Sequence, residues 1–421
     1  MNRLFTKRCE QTSLNCRADK SALKCFRKQI GILLIIMVIG FAVFNSKSAA
    51  AEEGGAFIQS TPTYFSYNEK AYLSNVFYLS DQEIWYDCPQ SNMKGELICI
   101  DINRGIVDKL SYELLRMKGE DANIECIQHI GDRLMIGYRD FETNYAEVVI
   151  FNEMHKEVTR VNVAEYSNKK IVPLLSKPMV PTQQGILFAG NQYEEADDTS
   201  QFYMTEIDAG GKRVFESLET KLHDSECYST NSIICSDEEY HYILSQNRTA
   251  PTQPVQERLI CKDIKGETVW EARLPDTLCI KDIAAFDGNL YLAGLTGEKD
   301  DYGNLLVDQK GILLCFDKNG NKRWEQVHSE VTNYFLQAIP NAEGCYALAN
   351  DYSMDEKQIY VVAVRIDGAI DRAGYIEPSV TASLYSCFFI SEDGKLAEAG
   401  KEVVDEMDGF RIGALYMSII E

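Results

Sequence analysis

Most of the signatures that identify an enzyme in a sequence are missing from this chain. It has no G-x-S-x-G, no H-E-x-x-H and no glycine-rich phosphate loop after a strand. Its histidines are few and scattered along the 421 residues: His129, His155, His223, His241 and His328. These absences disfavour serine hydrolases, zinc proteases and nucleotide-binding enzymes, and no residue is assigned a catalytic role.

Cysteines in metal-binding spacing are also missing. Ten cysteines follow residue 51, but none forms a C-x-x-C pair, so no zinc site is predicted. Disulfides could form if the chain is exported from the cytoplasm, which residues 1–51 predict. However, Cys99, Cys261 and Cys315 each stand two residues before the turn of a repeated hairpin, and equivalent positions in successive repeats lie far apart. We therefore expect mostly free, buried thiols that act as small apolar core residues.

Proline is scarce and aromatic residues are plentiful. The chain has 10 Pro against 23 Tyr and 18 Phe. This balance favours β-strands over disorder. The length is sufficient for two or three average domains or for one large all-β domain.

Residues 1–51 predict an export signal that is separate from the fold. Eight Lys and Arg within residues 1–28 precede the uncharged apolar run Ile30–Phe44 and then the small residues Ser48–Ala51. The apolar run is short for a membrane-spanning helix, whereas the basic region is long for a signal peptide. A cleaved signal and a retained membrane anchor therefore both stay open. Either predicts that residues 52–421 lie outside the cytoplasm, extracellular or membrane-anchored.

The predicted exported part is strongly acidic. Residues 52–421 carry 33 Lys and Arg against 62 Asp and Glu, a net charge of −29. This charge argues against nucleic acid or anionic lipid as a partner. Two interpretations stay open: the acids keep the protein soluble, or they bind cations or a basic partner.

A hairpin motif recurs along the chain. In Gly311–Glu325 an alternating strand leads into a turn at Asp317–Gly320 and then into a second strand that contains Trp324. The pattern D-x-x-G-x-x-x-aromatic fits three segments: Asp208, Gly211 and Phe215; Asp263, Gly266 and Trp270; Asp317, Gly320 and Trp324. Weaker copies lie at Ile98–Gly105, Val148–Asn152 and Val364–Gly368.

The spacing of the turns predicts the architecture. The turn residues Asp101, Asn152, Asp208, Asp263, Asp317 and Asp367 are 51, 56, 55, 54 and 50 residues apart. A period near 50 without helical segments indicates a β-propeller of four-stranded blades. We expect Trp270 and Trp324 to pack between neighbouring blades.

The two ends of this region predict how the ring closes. Phe410–Ile420 is an apolar strand that lacks its hairpin partner, and Phe57–Ser66 is a strand-like segment near the start of the domain. If Phe57–Ser66 supplies the missing outer strand, the last blade is built from both ends, and no open sheet edge is left. The sequence thus predicts a single all-β domain over residues 52–421, a seven-bladed propeller closed by its N- and C-terminal strands.

The motif in Asp263–Trp270 and Asp317–Trp324 resembles the repeat of the pyrroloquinoline-quinone-like β-propellers, which are quinoprotein-like and WD40-like in architecture. In particular, it resembles the end of their tryptophan-docking motif, in which the turn and the Trp lock adjacent blades. That superfamily includes quinone-dependent alcohol dehydrogenases and non-catalytic outer-membrane assembly scaffolds. The dehydrogenases need calcium, a catalytic Asp and a vicinal disulfide. This chain has no adjacent Cys-Cys and no residue matching that Asp, so the resemblance implies the scaffold branch.

Acidic loops provide the candidate binding residues. The loops that precede three of the hairpins contain Glu194, Glu195, Asp197 and Asp198; Glu298, Asp300 and Asp301; and Asp355 and Glu356. In a propeller these loops emerge on one face, where they would form an acidic rim for a cation or a basic protein. The alternative is that exposed loops of an acidic protein are simply acidic.

The predicted function is therefore that of an exported, non-catalytic binding or assembly scaffold. We expect a monomer whose partner is a protein or a cell-surface polymer. No organic cofactor is predicted, and calcium is the candidate ion. The alternative is an enzyme with its site in the central channel, either a quinoprotein-like oxidoreductase or a carbohydrate-active enzyme.

Overall fold

The computed structural model describes residues 57–65, 75–80, 83–91, 94–101, 105–113, 122–140, 143–166, 169–174, 177–194, 199–219, 229–248, 256–299, 305–329, 335–351, 358–377, 383–391, 393–407 and 410–421. Residues 54–421 form one compact unit. Within the described ranges every regular element is a β-strand. In this part of the chain no helix has the length and apolar character to span a bilayer. The predicted export segment, including Ile30–Phe44, lies outside the described residues.

The strands form seven sheets, which are the blades of a propeller and confirm the predicted fold class. Blade 1 contains β3 (Asn75–Ser80), β4 (Glu83–Ser91), β5 (Lys94–Asp101) and β6 (Gly105–Glu113). Blade 2 contains β7 (Ala122–Ile130), β8 (Arg133–Asp140), β9 (Tyr145–Asn152) and β10 (Glu157–Asn162). Blade 3 contains β11 (Glu165–Tyr166), β12 (Lys169–Pro173), β13 (Met179–Pro181), β14 (Gly185–Glu194), β15 (Thr199–Asp208) and β16 (Arg213–Glu219).

The second half of the ring repeats this order. Blade 4 contains β17 (Ser229–Ser236), β18 (Tyr240–Arg248), β19 (Gln256–Asp263) and β20 (Thr268–Arg273). Blade 5 contains β21 (Leu278–Phe286), β22 (Asn289–Lys299), β23 (Leu305–Asp317) and β24 (Lys322–His328). Blade 6 contains β25 (Phe335–Asn341), β26 (Gly344–Asp351), β27 (Gln358–Arg365) and β28 (Ile370–Glu377). Blade 7 contains β29 (Ser383–Ile390), β30 (Leu396–Met407), β31 (Phe410–Ile420) and β2 (Thr63–Phe65).

The innermost strand of each blade contacts the innermost strands of both neighbouring blades. This circuit runs through β3, β7, β13, β17, β21, β25 and β29 and returns to β3. Middle strands such as β8 and β9 are buried along almost their whole length because blades pack against both of their faces. Outer strands such as β20 instead alternate between exposed and half-buried residues. The repeated hairpins are the third and fourth strands of a blade, so a repeat counted from the hairpin spans two blades.

The ring closes between the two ends of the described domain, as predicted. β2 pairs antiparallel with β31, with Tyr64 opposite Tyr416 and Phe65 opposite Leu415. The N-terminal segment is not one strand over Phe57–Ser66, however. Its first part, β1 (Phe57–Ile58), pairs parallel with β28 of blade 6, and the segment then crosses to blade 7.

The turn residues act through their side chains. Oδ1 of Asp317 accepts hydrogen bonds from the backbone N–H groups of Asn319 and Asn321, each at 2.9 Å. These bonds lower the pKa of Asp317, and the bond from Asn321 has the largest effect. Gly320 takes the positive φ (80°) that closes the turn. Asp208 and Asp263 accept the same pair of backbone bonds in their own turns.

Blade 6 departs from the predicted turn position. The turn begins at Arg365, whose carbonyl accepts the N–H of Gly368 at 2.8 Å, and not at Asp367. Asp367 is the third residue of the turn and accepts the N–H of Ala369. The carboxylate misled the sequence interpretation because Asp favours turns at more than one position.

Two tryptophans lie against the turn of the following blade. Nε1 of Trp270 donates to the carbonyl of Lys318 at 2.8 Å, and a Cβ added to Gly320 would lie 2.8 Å from Cδ2 of Trp270. Trp324 lies in the same way against Gly368, where an added Cβ would lie 2.6 Å from Cγ of the indole. Nε1 of Trp324 donates to the carbonyl of Ile366 at 3.2 Å. The ring of one blade thus covers a position where the next blade has room only for hydrogen.

The residue seven positions after the turn residue contacts the following blade at two other interfaces, and in blade 6 it contacts β1 of the same sheet. Thr159 lies against Gly211, and Phe215 lies against Gly266. Arg372 lies over the ring of Phe57, 4.4 Å from its centroid, in a cation–π contact.

The eight cysteines described as free thiols are Cys99, Cys126, Cys235, Cys261, Cys279, Cys315, Cys345 and Cys387, and five of them are buried. This agrees with the predicted core role. Burial raises the pKa of Cys261 and of Cys315 to about 12, so both thiols stay protonated at neutral pH.

Candidate functional site: the central cavity

All seven innermost strands or their flanking residues line one cavity of about 540 Å³ on the axis of the ring. Its wall is mainly apolar, and its thiols belong to Cys126, Cys235 and Cys387. Its longer polar side chains are Glu125, Lys177 and Gln337, and Ser236 contributes a hydroxyl. An apolar cavity with a few polar groups is the usual character of a small-molecule site.

Lys177 enters this cavity from an interruption of the inner strand of blade 3. β12 and β13 pair with the same strand, β14, through Pro173 opposite Gly190 and Met179 opposite Phe188. Lys177 lies between these two segments with φ at 45°, a left-handed conformation that a lysine rarely adopts. Such backbone strain concentrates at functional positions, which makes the residue a candidate.

Asp282 of blade 5 binds the ammonium group. Lys177 Nζ donates to Oδ1 of Asp282, whose Oδ2 accepts the backbone N–H of Ala338 at 3.0 Å. Asp282 is 2% exposed, whereas 48% of the Lys177 side chain remains accessible. Burial acts to lower the pKa of Lys177, but the charge and hydrogen bond of Asp282 outweigh it, so the pKa is raised. The amine therefore stays protonated at neutral pH and is not a nucleophile.

Burial also shifts the pKa values of other ionisable groups of the cavity. Burial raises the pKa of the Cys235 thiol well above its usual value, although the charge of Lys177 acts in the opposite direction, so this thiol stays protonated at neutral pH. Burial likewise raises the pKa of Glu125, and Arg139, 4.0 Å away, partly offsets that rise. The fixed ammonium group of Lys177 and the mainly apolar wall suit the cavity to holding a ligand.

A serine, a histidine and a glutamate approach each other beside the cavity without forming a catalytic triad. Ser236 Oγ lies 2.9 Å from Nδ1 of His241, and Nε2 of His241 lies 4.0 Å from Glu206 Oε2. The second distance is too long for a hydrogen bond. Ser236 Oγ also lies 3.3 Å from the Tyr240 carbonyl, and burial lowers the pKa of His241 to about 4. A histidine this weakly basic is a poor general base at neutral pH.

Most of the sequence-predicted binding residues lie outside the described residues. Glu194 is the last residue of β14, and Glu298 is an exposed residue near the end of β22. The other seven are not described: Glu195, Asp197, Asp198, Asp300, Asp301, Asp355 and Glu356. The acidic rim therefore stays a prediction.

Sequence reasoning missed the central pair. Lys177 and Asp282 are 105 residues apart and belong to blades 3 and 5, and neither lies in a recognisable motif. No sequence signal joins them, because their contact depends on how the ring brings non-adjacent blades together.

No protein-family model matches this sequence, and a search of curated proteins gives no significant match. Among solved structures, the chain is similar to the uncomplexed acylaminoacyl peptidase of Pyrococcus horikoshii, with 12% identity and a TM-score of 0.50 over 83% of this chain and 51% of that one. It is also similar to the β-propeller domain of the Trilobed protease from Pyrococcus furiosus (11% identity, TM-score 0.49, 84% and 94% covered). A third similar structure is that of polysaccharide lyase Uly1 (11% identity, TM-score 0.49, 88% and 98% covered).

These identities are too low to carry anything beyond the fold. The chain spans about half the length of the acylaminoacyl peptidase. The sheet topology identifies the β-propeller, and the comparisons do not single out the pyrroloquinoline-quinone-like or WD40-like branch.

Proposed function

We propose that this propeller is an exported, non-catalytic binding scaffold of the pyrroloquinoline-quinone-like type. The observation that supports this most directly is the state of the central cavity. Its lysine is neutralised by a buried carboxylate that also accepts a backbone N–H, and the thiol of Cys235 is held in its protonated form. A rigid closed ring with such a cavity can hold a ligand or partner without transforming it.

The export signal and the acidic loops complete the proposal. Residues 1–51 direct the chain out of the cytoplasm, where residues 52–421 present the loops containing Glu194, Asp198, Asp300 and Asp301. These loops engage a basic protein or a cell-surface polymer. Functional residues concentrate on loops that a rigid scaffold holds in place, which supports this choice of surface.

The first experiment separates the scaffold from an enzyme of the central channel. Thermal unfolding of the purified domain is followed while calcium and pyrroloquinoline quinone are added separately and together. A ligand that binds only the native state raises the melting temperature, and the rise grows with the ratio of the free ligand concentration to Kd. The scaffold proposal expects no quinone-dependent shift. A shift that grows with quinone concentration and is lost in Lys177→Met would overturn it in favour of a quinoprotein-like enzyme.

The second experiment tests the loop face. Glu194, Asp198, Asp300 and Asp301 are changed to Lys together, and recovery of the domain on isolated cell envelopes is compared with that of the wild type. The matched control reverses four exposed acids in turns at the opposite ends of the strands: Glu238, Glu239, Glu267 and Glu343. The proposal expects the loop variant to lose binding and the control to keep it. Equal binding by both variants would remove the acidic face from the proposal.

A further inference from the structure

The interface between blades 1 and 2 departs from the repeat at three positions together. Asp108 stands where blade 5 has Trp324, seven residues after the turn residue. Trp85 pairs with Cys99 as Tyr291 pairs with Cys315. His155 stands where blade 6 has its turn glycine, with φ at 53°.

In blade 5 these positions form a packed unit. The ring of Tyr291 lies 6.0 Å from that of Trp324, which covers the turn of blade 6 at Gly368. At the first interface a carboxylate replaces the covering indole and an imidazole replaces the hydrogen of glycine. The apolar contact is replaced by a polar contact between His155 Nε2 and Asp108 Oδ2 at 2.9 Å.

A cavity of about 240 Å³ lies at this place. Four carboxylates line it, together with two imidazoles, a thiol and an indole: Glu83, Asp108, Asp132, Glu153, His129, His155, Cys99 and Trp85. Among the described residues that line it there is no lysine or arginine. With neutral imidazoles the lining carries four negative charges, so its potential favours a cation.

Besides Asp108, two of the four carboxylates have a basic neighbour. His129 Nδ1 lies 3.5 Å from Glu83 Oε2, and Arg133 Nε, which is outside the lining, lies 3.4 Å from Asp132 Oδ1. The negative charges of the lining also act on the Cys99 thiol. Burial is the main cause of the raised pKa of Cys99, and the charges of Glu83 and Asp108 raise it further.

Trp85 supplies a second, independent indication of a ligand. Its side chain lies in the cluster between blades 1 and 2, lines the cavity and is 3% exposed. Its buried Nε1–H has no hydrogen-bond acceptor among the described residues. Buried indole donors normally find a partner, so this group calls for an acceptor carried by a ligand.

We propose that the cavity between blades 1 and 2 binds a small organic cation, an ammonium or guanidinium group that carries a hydrogen-bond acceptor for Trp85. The carboxylates attract the cation, and the acceptor distinguishes it from a simple amine. The volume suits a molecule of amino-acid size. No group of three or more potential ligands is placed to hold a metal ion among the described residues. The cation is either a free molecule or a basic side chain of a polypeptide, and the inference is independent of the proposed scaffold function.

Isothermal titration calorimetry of the purified domain at low salt tests this. Three probes are used: 4-guanidinobutyramide, which has one cation and a carbonyl; butylguanidine, which has the same cation but lacks the carbonyl; and 4-ureidobutyramide, which has the carbonyl but no charge. For a ligand of about ten heavy atoms we expect a Kd for 4-guanidinobutyramide on the order of 0.1–1 mM. Butylguanidine should bind several-fold more weakly, and 4-ureidobutyramide should bind about tenfold more weakly. A Gly-Arg-Gly peptide distinguishes the sources: tighter binding than 4-guanidinobutyramide indicates a polypeptide side chain, and weaker binding indicates a free molecule.

Variants link the binding to these residues. Trp85→Phe keeps an aromatic ring but removes the donor, so it should weaken 4-guanidinobutyramide to the level of butylguanidine and leave butylguanidine unchanged. Asp108→Asn should weaken both cations about tenfold. The double variant Asp108→Trp with His155→Gly restores the repeat, so it should abolish binding while the domain stays folded. Asp276→Asn, at an exposed carboxylate in the connection between blades 4 and 5, serves as the control. The absence of saturable binding by the wild type, or unchanged binding by the restored-repeat variant, would overturn the proposal.

Discussion

Alanine at Gly320 should destabilise the propeller far more than alanine at Gly394, although both glycines have φ at 80°. A Cβ at Gly394 would meet nothing within 4 Å, whereas one at Gly320 would lie 2.8 Å from Trp270 Cδ2 and 2.9 Å from Cε3. The pair therefore separates the cost of the backbone conformation from the cost of displacing the indole ring.

The magnitudes follow from these contacts. A left-handed non-glycine residue costs roughly 1–2 kcal/mol, and the reduced freedom of the unfolded chain returns about 0.4–1 kcal/mol. Gly394→Ala should therefore lower the free energy of unfolding by about 1 kcal/mol. Gly320→Ala adds roughly 1–3 kcal/mol of overpacking and endangers the Trp270 Nε1 bond to Lys318, worth about 1 kcal/mol. Its total loss should be about 2–5 kcal/mol.

Urea unfolding followed by far-ultraviolet circular dichroism measures the two losses. Adding Trp270→Ala to Gly320→Ala should remove the clash, so in that background the methyl group should cost no more than it does at Gly394. The resulting coupling energy should be about 1–3 kcal/mol. If Gly320→Ala and Gly394→Ala lower stability equally, the indole does not hold adjacent blades together and the reasoning about the repeat is refuted.

Three further perturbations are predicted. Phe65 is 7% exposed, so Phe65→Ala should lower the free energy of unfolding in urea by about 3–5 kcal/mol. Tyr64 lies on the opposite face of β2 and is 46% exposed, so Tyr64→Ala should cost no more than about 1 kcal/mol. Equal losses would contradict the closure of the ring through β2. His241, with its pKa lowered to about 4, opposes protonation in the folded chain, so its contribution to stability should be lost as pH falls from about 6.5 towards 4, by up to about 3 kcal/mol. Burial raises the pKa of the neighbouring Glu206, whose effect on the pH dependence of stability is opposite to that of His241. The free energy of unfolding of His241→Gln is therefore compared with that of the wild type across this pH range. Parallel stability curves would count against the assignment of the pH dependence to His241. Lys177→Met leaves the buried Asp282 without its cation and should lower the free energy of unfolding by about 1–3 kcal/mol. This loss is smaller than for a fully buried pair because the lysine is half exposed. Adding Asp282→Asn should recover part of the loss, and no recovery would show that the two side chains are not coupled.

Much of the architecture was accessible from the spacing of a few residues. The turns at Asp208, Asp263 and Asp317 recur because a four-stranded blade needs about fifty residues, and each turn needs a side-chain acceptor and a residue that tolerates positive φ. The closure was accessible because Phe410–Ile420 lacked a partner. The pairing of Phe57–Ile58 with blade 6 was not, because two residues carry no periodicity.

The candidate sites were less accessible, for two different reasons. Lys177 and Asp282 meet through the geometry of the ring, which no local pattern records. The cavity between blades 1 and 2 did leave a signal in the sequence. Counting seven residues from Asp101 reaches Asp108, where three other repeats have an aromatic residue, and counting three from Asn152 reaches His155, where other repeats have a glycine. A repeat is thus most informative where it is broken.

The joining of β2 to β31 also has a consequence during synthesis. About 350 residues separate these strands, and a ribosome adds about 5–20 residues per second, so Phe65 waits roughly 20–70 s for the strand that will cover it. During that interval the nascent polypeptide carries an apolar strand with no place to dock. Any factor that shields this early segment would therefore control how many chains reach the finished ring.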